Sequence, residues 1–244
     1  KLDTLQQCVA IDVAGGGTAS GSGGSPLAAS DARSLTASLQ ALRDARAAGA
    51  ALEAPCAVLL TAGPAAGKTT LLSQVVTLAL EGSERAGGTA LVPILVKVQR
   101  LQRRLLDAPD AFAASWNYVD AYLRLEYEAS SPAAYRMLRQ AMKARRALLL
   151  LDGLDEGGAK RDDIERHVAE VLAPQGHVLL CTSRPAGVDE TRFAAFRQLT
   201  LAPLTDAQQE EALRQRLGAE RAGALLSYVR DAVPRDDAGL KVTS

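Results

Sequence analysis

The chain has 244 residues, 28 Lys and Arg against 28 Asp and Glu, with 48% hydrophobic residues and 4% aromatics. That length holds one domain and part of another, and a formal net charge of zero argues neither for a basic nucleic-acid surface nor for an acidic tail. No apolar run approaches the ~18 residues of a membrane helix and no leader-like segment opens the chain, so a soluble cytoplasmic protein is expected.

Chain order starts with Leu5, Val9, Ile11 and Val13, too sparse to assign to an element. Gly15-Gly16-Gly17 through Gly21-Ser22-Gly23-Gly24-Ser25-Pro26 then reads as a flexible linker, so residues 1–30 form an N-terminal segment and linker. Ser30 or Asp31 caps a helix carrying Leu35, Leu39 and Leu42, with Gly49 as its stop. The first residue is Lys1 rather than Met, which suggests a piece of something larger.

A buried strand, Ala57-Val58-Leu59-Leu60, runs into Ala62-Gly63-Pro64-Ala65-Ala66-Gly67-Lys68-Thr69-Thr70. Small side chains let backbone N–H groups close around phosphate oxygens, and a helix N-terminus adds donors and a positive dipole end. Lys68 can reach the β- and γ-phosphates and the Thr69 hydroxyl can ligate Mg²⁺. The register of G-x-x-x-x-G-K-[ST] puts Ala62 where Gly stands and leaves Gly63 one place late. A G-K-T alone would fit an ordinary strand-to-helix turn. The strand before it and the periodic set Leu72, Val75, Val76, Ala79 and Leu80 after it favour the phosphate loop.

Gly87-Gly88 turns the chain into a second strand near Ala90 to Val98, and Pro93 within it favours a sheet edge. Leu101 to Arg146 reads as helical, with Trp116, Tyr118, Tyr122, Leu123 and Tyr127 supplying aromatic bulk. Basic runs at Lys97 to Arg104 and Arg139 to Arg146 read as solvated faces rather than nucleic-acid contacts, and the aromatics near them as helix packing rather than base stacking.

Ala147 to Leu151 is a continuous apolar run of strand length, as expected for a strand covered on both faces, and it ends at Asp152. A carboxylate at that end lies where ligands bind in open α/β sheets, so Asp152 would hold Mg²⁺ opposite Thr69. Asp155 and Glu156 follow three and four places on, and one of them could orient and polarise an attacking water.

Arg161 to Leu172 reads as a helix with Ile164, Val168, Val171 and Leu172 on one face. Pro174 to Gly176 turns into a fourth strand, His177 to Cys181, followed by Thr182-Ser183-Arg184-Pro185. Leu199-Thr200-Leu201-Ala202-Pro203-Leu204-Thr205 is a last short strand. Thr205 with Gln208 resembles a capping box for a helix ending at Gly218, and another helix is expected to about Val233. Cys8, Cys56 and Cys181 lack metal-ligand spacing and fit a reduced compartment, while His167 and His177 read as structural. Alternating strands and helices give an α/β protein with a parallel sheet covered on both faces.

D-G-L-D-E at Asp152 to Glu156, T-S-R-P at Thr182 to Pro185 and the strand into Thr205 together resemble the NACHT family of STAND P-loop NTPases, over about residues 50 to 230. The resemblance implies a P-loop NTPase three-layer sandwich with a mostly parallel five-stranded sheet in the order 5-1-4-3-2, followed by the start of a small helical domain. It implies a nucleotide-binding domain over residues 31–204 and a truncated helical domain over 205–244. It further implies ATP or ADP with Mg²⁺ as cofactors, held by Ala62 to Thr70 and Asp152. Glu156, helped by Asp155, would position water, and Arg184 would sense the γ-phosphate. Such a module is a slowly hydrolysing switch within a larger protein, self-associating and meeting protein partners through flanking domains, with no membrane or nucleic acid expected.

The chain stops before the winged-helix domain of that family and shows no identifiable adenine-contacting proline, which leaves base selectivity open. No N-K-x-D supports a GTPase and no L-S-G-G-Q an ABC ATPase, and Gly153 stands where a RecA-like motor places Glu. The remaining rival is a scaffold that holds nucleotide without turning it over.

Overall fold

Apolar segments that alternate with amphipathic helices assemble here into one sheet, seen in a computed structural model that describes residues 13–14, 30–50, 54–64, 66–85, 90–202 and 205–232. The Gly/Ser-rich stretch, Cys8, Ala65, Gly87-Gly88, Pro203-Leu204 and Val233 lie outside the described residues. The sheet comprises β1 (Val13–Ala14), β2 (Ala57–Thr61), β3 (Val92–Lys97), β4 (Ala147–Asp152), β5 (Val178–Ser183) and β6 (Arg197–Leu201), in the order β1-β6-β2-β5-β4-β3. The five strands from β2 to β6 are parallel and take the expected order, with the arginine-bearing β5 between β2 and β4. β1, which the sequence pattern left unassigned, adds an antiparallel pair to β6, Val13 opposite Leu201.

Pairing register follows burial. Leu59 sits opposite Cys181, Leu149 opposite Leu179, and Lys97 opposite Asp152, so the apolar rows align and the polar ends finish together. β3 is the edge strand on its side, which spares Pro93 the loss of a ladder bond.

Helices cover both faces. α1 (Ala32–Ala47) is capped by Asp31, whose Oδ1 accepts the Ser34 N–H at 2.7 Å, and it buries Leu35 and Leu39. α2 (Lys68–Arg85) lies beside it and buries Leu71, Leu72, Val75, Leu78 and Ala79. Leu80, expected on that face, is 52% exposed. Eight residues past Leu72 it is turned about 80° around the helix, while Leu71 takes the inward position. On the opposite face Ile94, Val96, Leu149, Leu151, Leu179 and Cys181 form a continuous core with the helices between β3 and β5. Alternation of strand side chains supplies both layers.

The single helical stretch expected from Leu101 to Arg146 is four helices: α3 (Val98–Asp107), α4 (Pro109–Ala113), α5 (Tyr118–Tyr127) and α6 (Pro132–Lys143). Proline disfavours helical geometry in the residue before it, so Ala108 and Ser131 are natural breaks, and Asn117 caps α5 by accepting the Asp120 N–H at 2.8 Å. The basic runs are partly neutralised there, Arg104 by Glu126 at 2.7 Å and Arg139 by Asp120 at 3.1 Å. α7 (Arg161–His167) gives way to a π-helical turn over Val168–Leu172, closed by Ala173 N–H to the Val168 carbonyl at 3.0 Å. The turn keeps Ile164, Val168 and Leu172 inward and leaves Val171 only half-buried.

The described residues from 13 to 202 belong to one compact unit; α8 (Asp206–Leu217) and α9 (Ala219–Ala232) belong to a second. Thr205 and Gln208 make the expected capping box, and Gly218 ends α8 with φ +79°. Among the described residues no helix is long and apolar enough to cross a membrane.

Candidate functional site

The carboxyl ends of β2, β4 and β5 converge, and the loop leaving each carries the polar residues singled out above. Ala62 N–H donates to the Ser183 carbonyl at 3.1 Å, extending the β2–β5 ladder one residue beyond Thr61. Ala62 is buried, and among the described residues Arg145 is the one non-glycine with a positive φ, so alanine at this position carries no backbone strain. Gly67 does need its freedom: φ is +92°, and its carbonyl accepts the Leu71 N–H at 2.9 Å as α2 begins. Gly63 and Pro64 are exposed and Ala66 and Thr70 half-buried; Ala65 lies outside the described residues.

Lys68 Nζ donates to the Ala62 carbonyl at 2.8 Å and the Gly63 carbonyl at 3.0 Å, which folds the side chain back over the loop. Burial lowers its pKa and nearby Arg184 lowers it further, against the opposing pull of Asp155, Asp152 and Glu156. Asp152, Asp155, Glu156 and Arg184 therefore all act on Lys68 at this sheet end.

Asp152 is held from two sides. Thr69 Oγ1 donates to Asp152 Oδ2 at 3.0 Å, and Thr182 Oγ1 donates to Asp152 Oδ1 at 3.1 Å. The Thr182 oxygen in turn accepts the Gly153 N–H at 2.9 Å. Gly153 adopts φ 78°, ψ 68°, a left-handed geometry that glycine adopts freely, and it turns the chain into the 3₁₀ turn Leu154–Glu156. Buried Leu154 anchors that turn and sends the two acids apart. Asp155 Oδ2 meets Arg184 Nε at 3.1 Å and Asp155 Oδ1 accepts the Arg184 backbone N–H at 3.2 Å. Glu156 is exposed, its side chain lying over Gly153.

Two residues were given no role by the sequence reading, although Thr182 stands in the T-S-R-P run. Thr182 is fully buried and could have been found by aligning strand ends: with Leu151 opposite Cys181, Asp152 and Thr182 fall side by side. Gly187, whose absent side chain admits Asp155, has no such signal. The histidines lie elsewhere: His167 stacks on Tyr118 at 3.7 Å, and His177 is buried beside Arg145. Cys56 and Cys181 are buried, and burial raises both thiol pKa values.

The residues fit a phosphate and its cation. Adjacent oxygens around octahedral Mg²⁺, each about 2.0–2.1 Å from the ion, lie about 2.9 Å apart. The 3.0 Å between Thr69 Oγ1 and Asp152 Oδ2 matches that edge. Among the described residues no group of three or more His, Cys, Asp or Glu could hold a metal ion. A cation at this pair would complete its shell with phosphate oxygens and water, the usual Mg²⁺ arrangement.

The family model described as NACHT domain matches residues 57–220. No curated protein matches the sequence. Among solved structures, PCH-2 from C. elegans aligns at 12% identity and TM-score 0.46, covering 84% of this chain and 50% of that one, so the chain spans half its length. The structure described as the HORMA:CdnC:Trip13 complex of E. coli MS115-1 includes a chain that aligns at 20% identity and TM-score 0.47, covering 87% and 76%. AMPPCP-bound DnaA from Aquifex aeolicus aligns at 15% identity and TM-score 0.41, covering 77% and 54%.

Proposed function

The chain belongs to the NACHT family, and from that premise we propose that it is the ATP-binding, slowly hydrolysing switch module of a larger signalling protein. The observation that carries the reading is the Thr69–Asp152 pair, set at 3.0 Å beside the loop that Lys68 closes.

In this reading the N–H groups of the loop from Ala62 to Thr70 cradle phosphate oxygens at the head of α2. Lys68 exchanges its two carbonyl partners for β- and γ-phosphate oxygens. Thr69 and Asp152 hold Mg²⁺, which when bound neutralises charge on the phosphate oxygens. Glu156, exposed at the tip of its turn, accepts a hydrogen bond from water and orients it for attack. Arg184 at the end of β5 supplies a positive charge to the γ-phosphate. The loss of that contact after hydrolysis would release a conformational state, which suits slow turnover. The helices from Thr205 onward would begin a small helical domain. Self-association, protein partners and a cytoplasmic setting belong to the same proposal.

Lys68→Ala is expected to lose more than tenfold in ATP affinity, whereas Glu156→Gln keeps affinity and loses steady-state hydrolysis. Normal ATP binding by Lys68→Ala would overturn the phosphate-loop assignment. Equal background rates for wild type and Glu156→Gln would favour a nucleotide-holding scaffold instead.

A further inference from the structure

We propose that Asp155 is a positioning residue for Arg184 rather than a partner of Glu156 in handling water, a role that rests on the nucleotide-binding reading above. Both of its carboxylate oxygens are engaged by one residue, Oδ2 with Arg184 Nε at 3.1 Å and Oδ1 with the Arg184 backbone N–H at 3.2 Å. A carboxylate bridging a backbone N–H and the guanidinium of the same residue fixes where that guanidinium starts and which way it leaves the strand end. The contact uses Nε, the inner nitrogen, and leaves the terminal fork of an otherwise 58% exposed side chain for a second, anionic partner. Asp155 itself is 12% exposed, whereas the adjacent Glu156 is open to solvent, so water has freer access to the second acid than to the first.

The loop after Arg184 closes around this carboxylate. Gly187 N–H donates to the Arg184 carbonyl at 2.9 Å, and Gly187 is buried against Asp155 so closely that a Cβ there would run into the Asp155 Cβ. Charge gives the arrangement a purpose. Lys68 feels the repulsion of Arg184, and of the carboxylates acting on Lys68 Asp155 contributes most. Held against Arg184, that carboxylate offsets part of the repulsion between the two cations and keeps the guanidinium at the strand end before phosphate arrives.

The test compares binding of ADP with that of an ATP analogue carrying a methylene bridge between the β- and γ-phosphates, both with Mg²⁺, by titration calorimetry. Arg184→Ala should lose about tenfold or more for the analogue and stay within about twofold of wild type for ADP. Asp155→Ala should reproduce that γ-phosphate-selective loss, Asp155→Asn a smaller share of it, and the double variant Asp155→Ala/Arg184→Ala no more than Arg184→Ala alone. Gly187→Ala, which leaves both charged residues in the chain, should show the same selective loss. The idea is overturned if Asp155→Ala keeps the wild-type analogue-to-ADP ratio while hydrolysis falls, or if the two losses multiply. If wild type binds neither nucleotide, the nucleotide-binding reading falls and Asp155's role with it; intact ADP binding isolates the failure to Asp155.

Discussion

Thr69 and Asp152 share a hydrogen bond of 3.0 Å although 83 positions separate them in the chain. The bond joins the first turn of α2 to the last residue of β4, two elements brought together only by the parallel crossing of the sheet. Because the two oxygens sit at the spacing of neighbouring Mg²⁺ ligands, each should contribute to the cation and little to the rest of the nucleotide. Thr69→Ala and Asp152→Asn are therefore expected to reduce ATP affinity severalfold or more in Mg²⁺ and to bind close to wild type in excess chelator. Titration of nucleotide under both conditions checks this; an unchanged ratio between the conditions would remove these two residues from the metal site.

Thr182 stands behind that pair, donating to Asp152 and accepting from Gly153 inside a fully buried position. Thr182→Val keeps shape and removes the hydroxyl, leaving the Gly153 N–H without a partner at a cost of about 1–3 kcal/mol. Thr182→Ser restores the oxygen. The expected result is a lower urea midpoint for Thr182→Val with weakened Mg²⁺-dependent binding, both largely recovered in Thr182→Ser. Recovery of stability without recovery of the Mg²⁺ dependence would make Thr182 a fold residue only.

Much of this was readable along the chain, because its causes are local. A short unbroken apolar run bounded by a polar end suits a doubly covered strand, so Ala147 to Leu151 and its terminal Asp152 were placed correctly, as were the capped starts of α1 and α8. The prolines at 109 and 132 also carried the helix breaks, which periodicity read over a long window smoothed away. What stayed hidden depends on contacts between distant segments. β1 exists through its pairing with Leu201 and Thr200, the π-helical turn after His167 through the core it faces, and the Asp155–Arg184 bond through the adjacency of β4 and β5. Asp155 and Glu156 look equivalent as letters; the 3₁₀ turn separates their surroundings.

Gly153 sets that turn. Its φ of 78° disfavours any side chain, and an added Cβ would stand 3.1 Å from Glu156 Cδ. Left-handed geometry costs a non-glycine residue about 1–2 kcal/mol. Gly153→Ala should thus lower stability by about that amount and displace Glu156, with hydrolysis falling well before ATP affinity does. Stability measured by denaturant titration, beside paired binding and turnover assays, decides it: full turnover in Gly153→Ala would show that the turn does not place the acid.

Stability should also fall on mild acidification, through the two histidines rather than the nucleotide site. Burial pushes His167 and His177 down to about 4, and for His177 the cations Arg145 and Arg46 add to it. Geometry agrees. His167 Nε2 accepts the Tyr118 N–H at 3.0 Å and must stay unprotonated to do so. His177 Nε2 lies 3.5 Å from Arg145 Nη1 and 3.3 Å from Gln175 Oε1, while its buried Nδ1 has no hydrogen-bond partner among the described residues. With an unfolded value near 6.5, the unfolded chain binds protons below that pH while the folded chain resists until about 4. Stability is therefore full above pH 6.5, falls through the interval and levels off below 4 as far as these groups decide it. Between pH 7.5 and 5 each histidine should cost about 2 kcal/mol. Urea unfolding at both pH values should show His177→Gln and His167→Gln each losing less stability on acidification than wild type. If both variants track the wild-type decline, the histidines titrate alike in the folded and unfolded chain, and the acid sensitivity must come from the carboxylates.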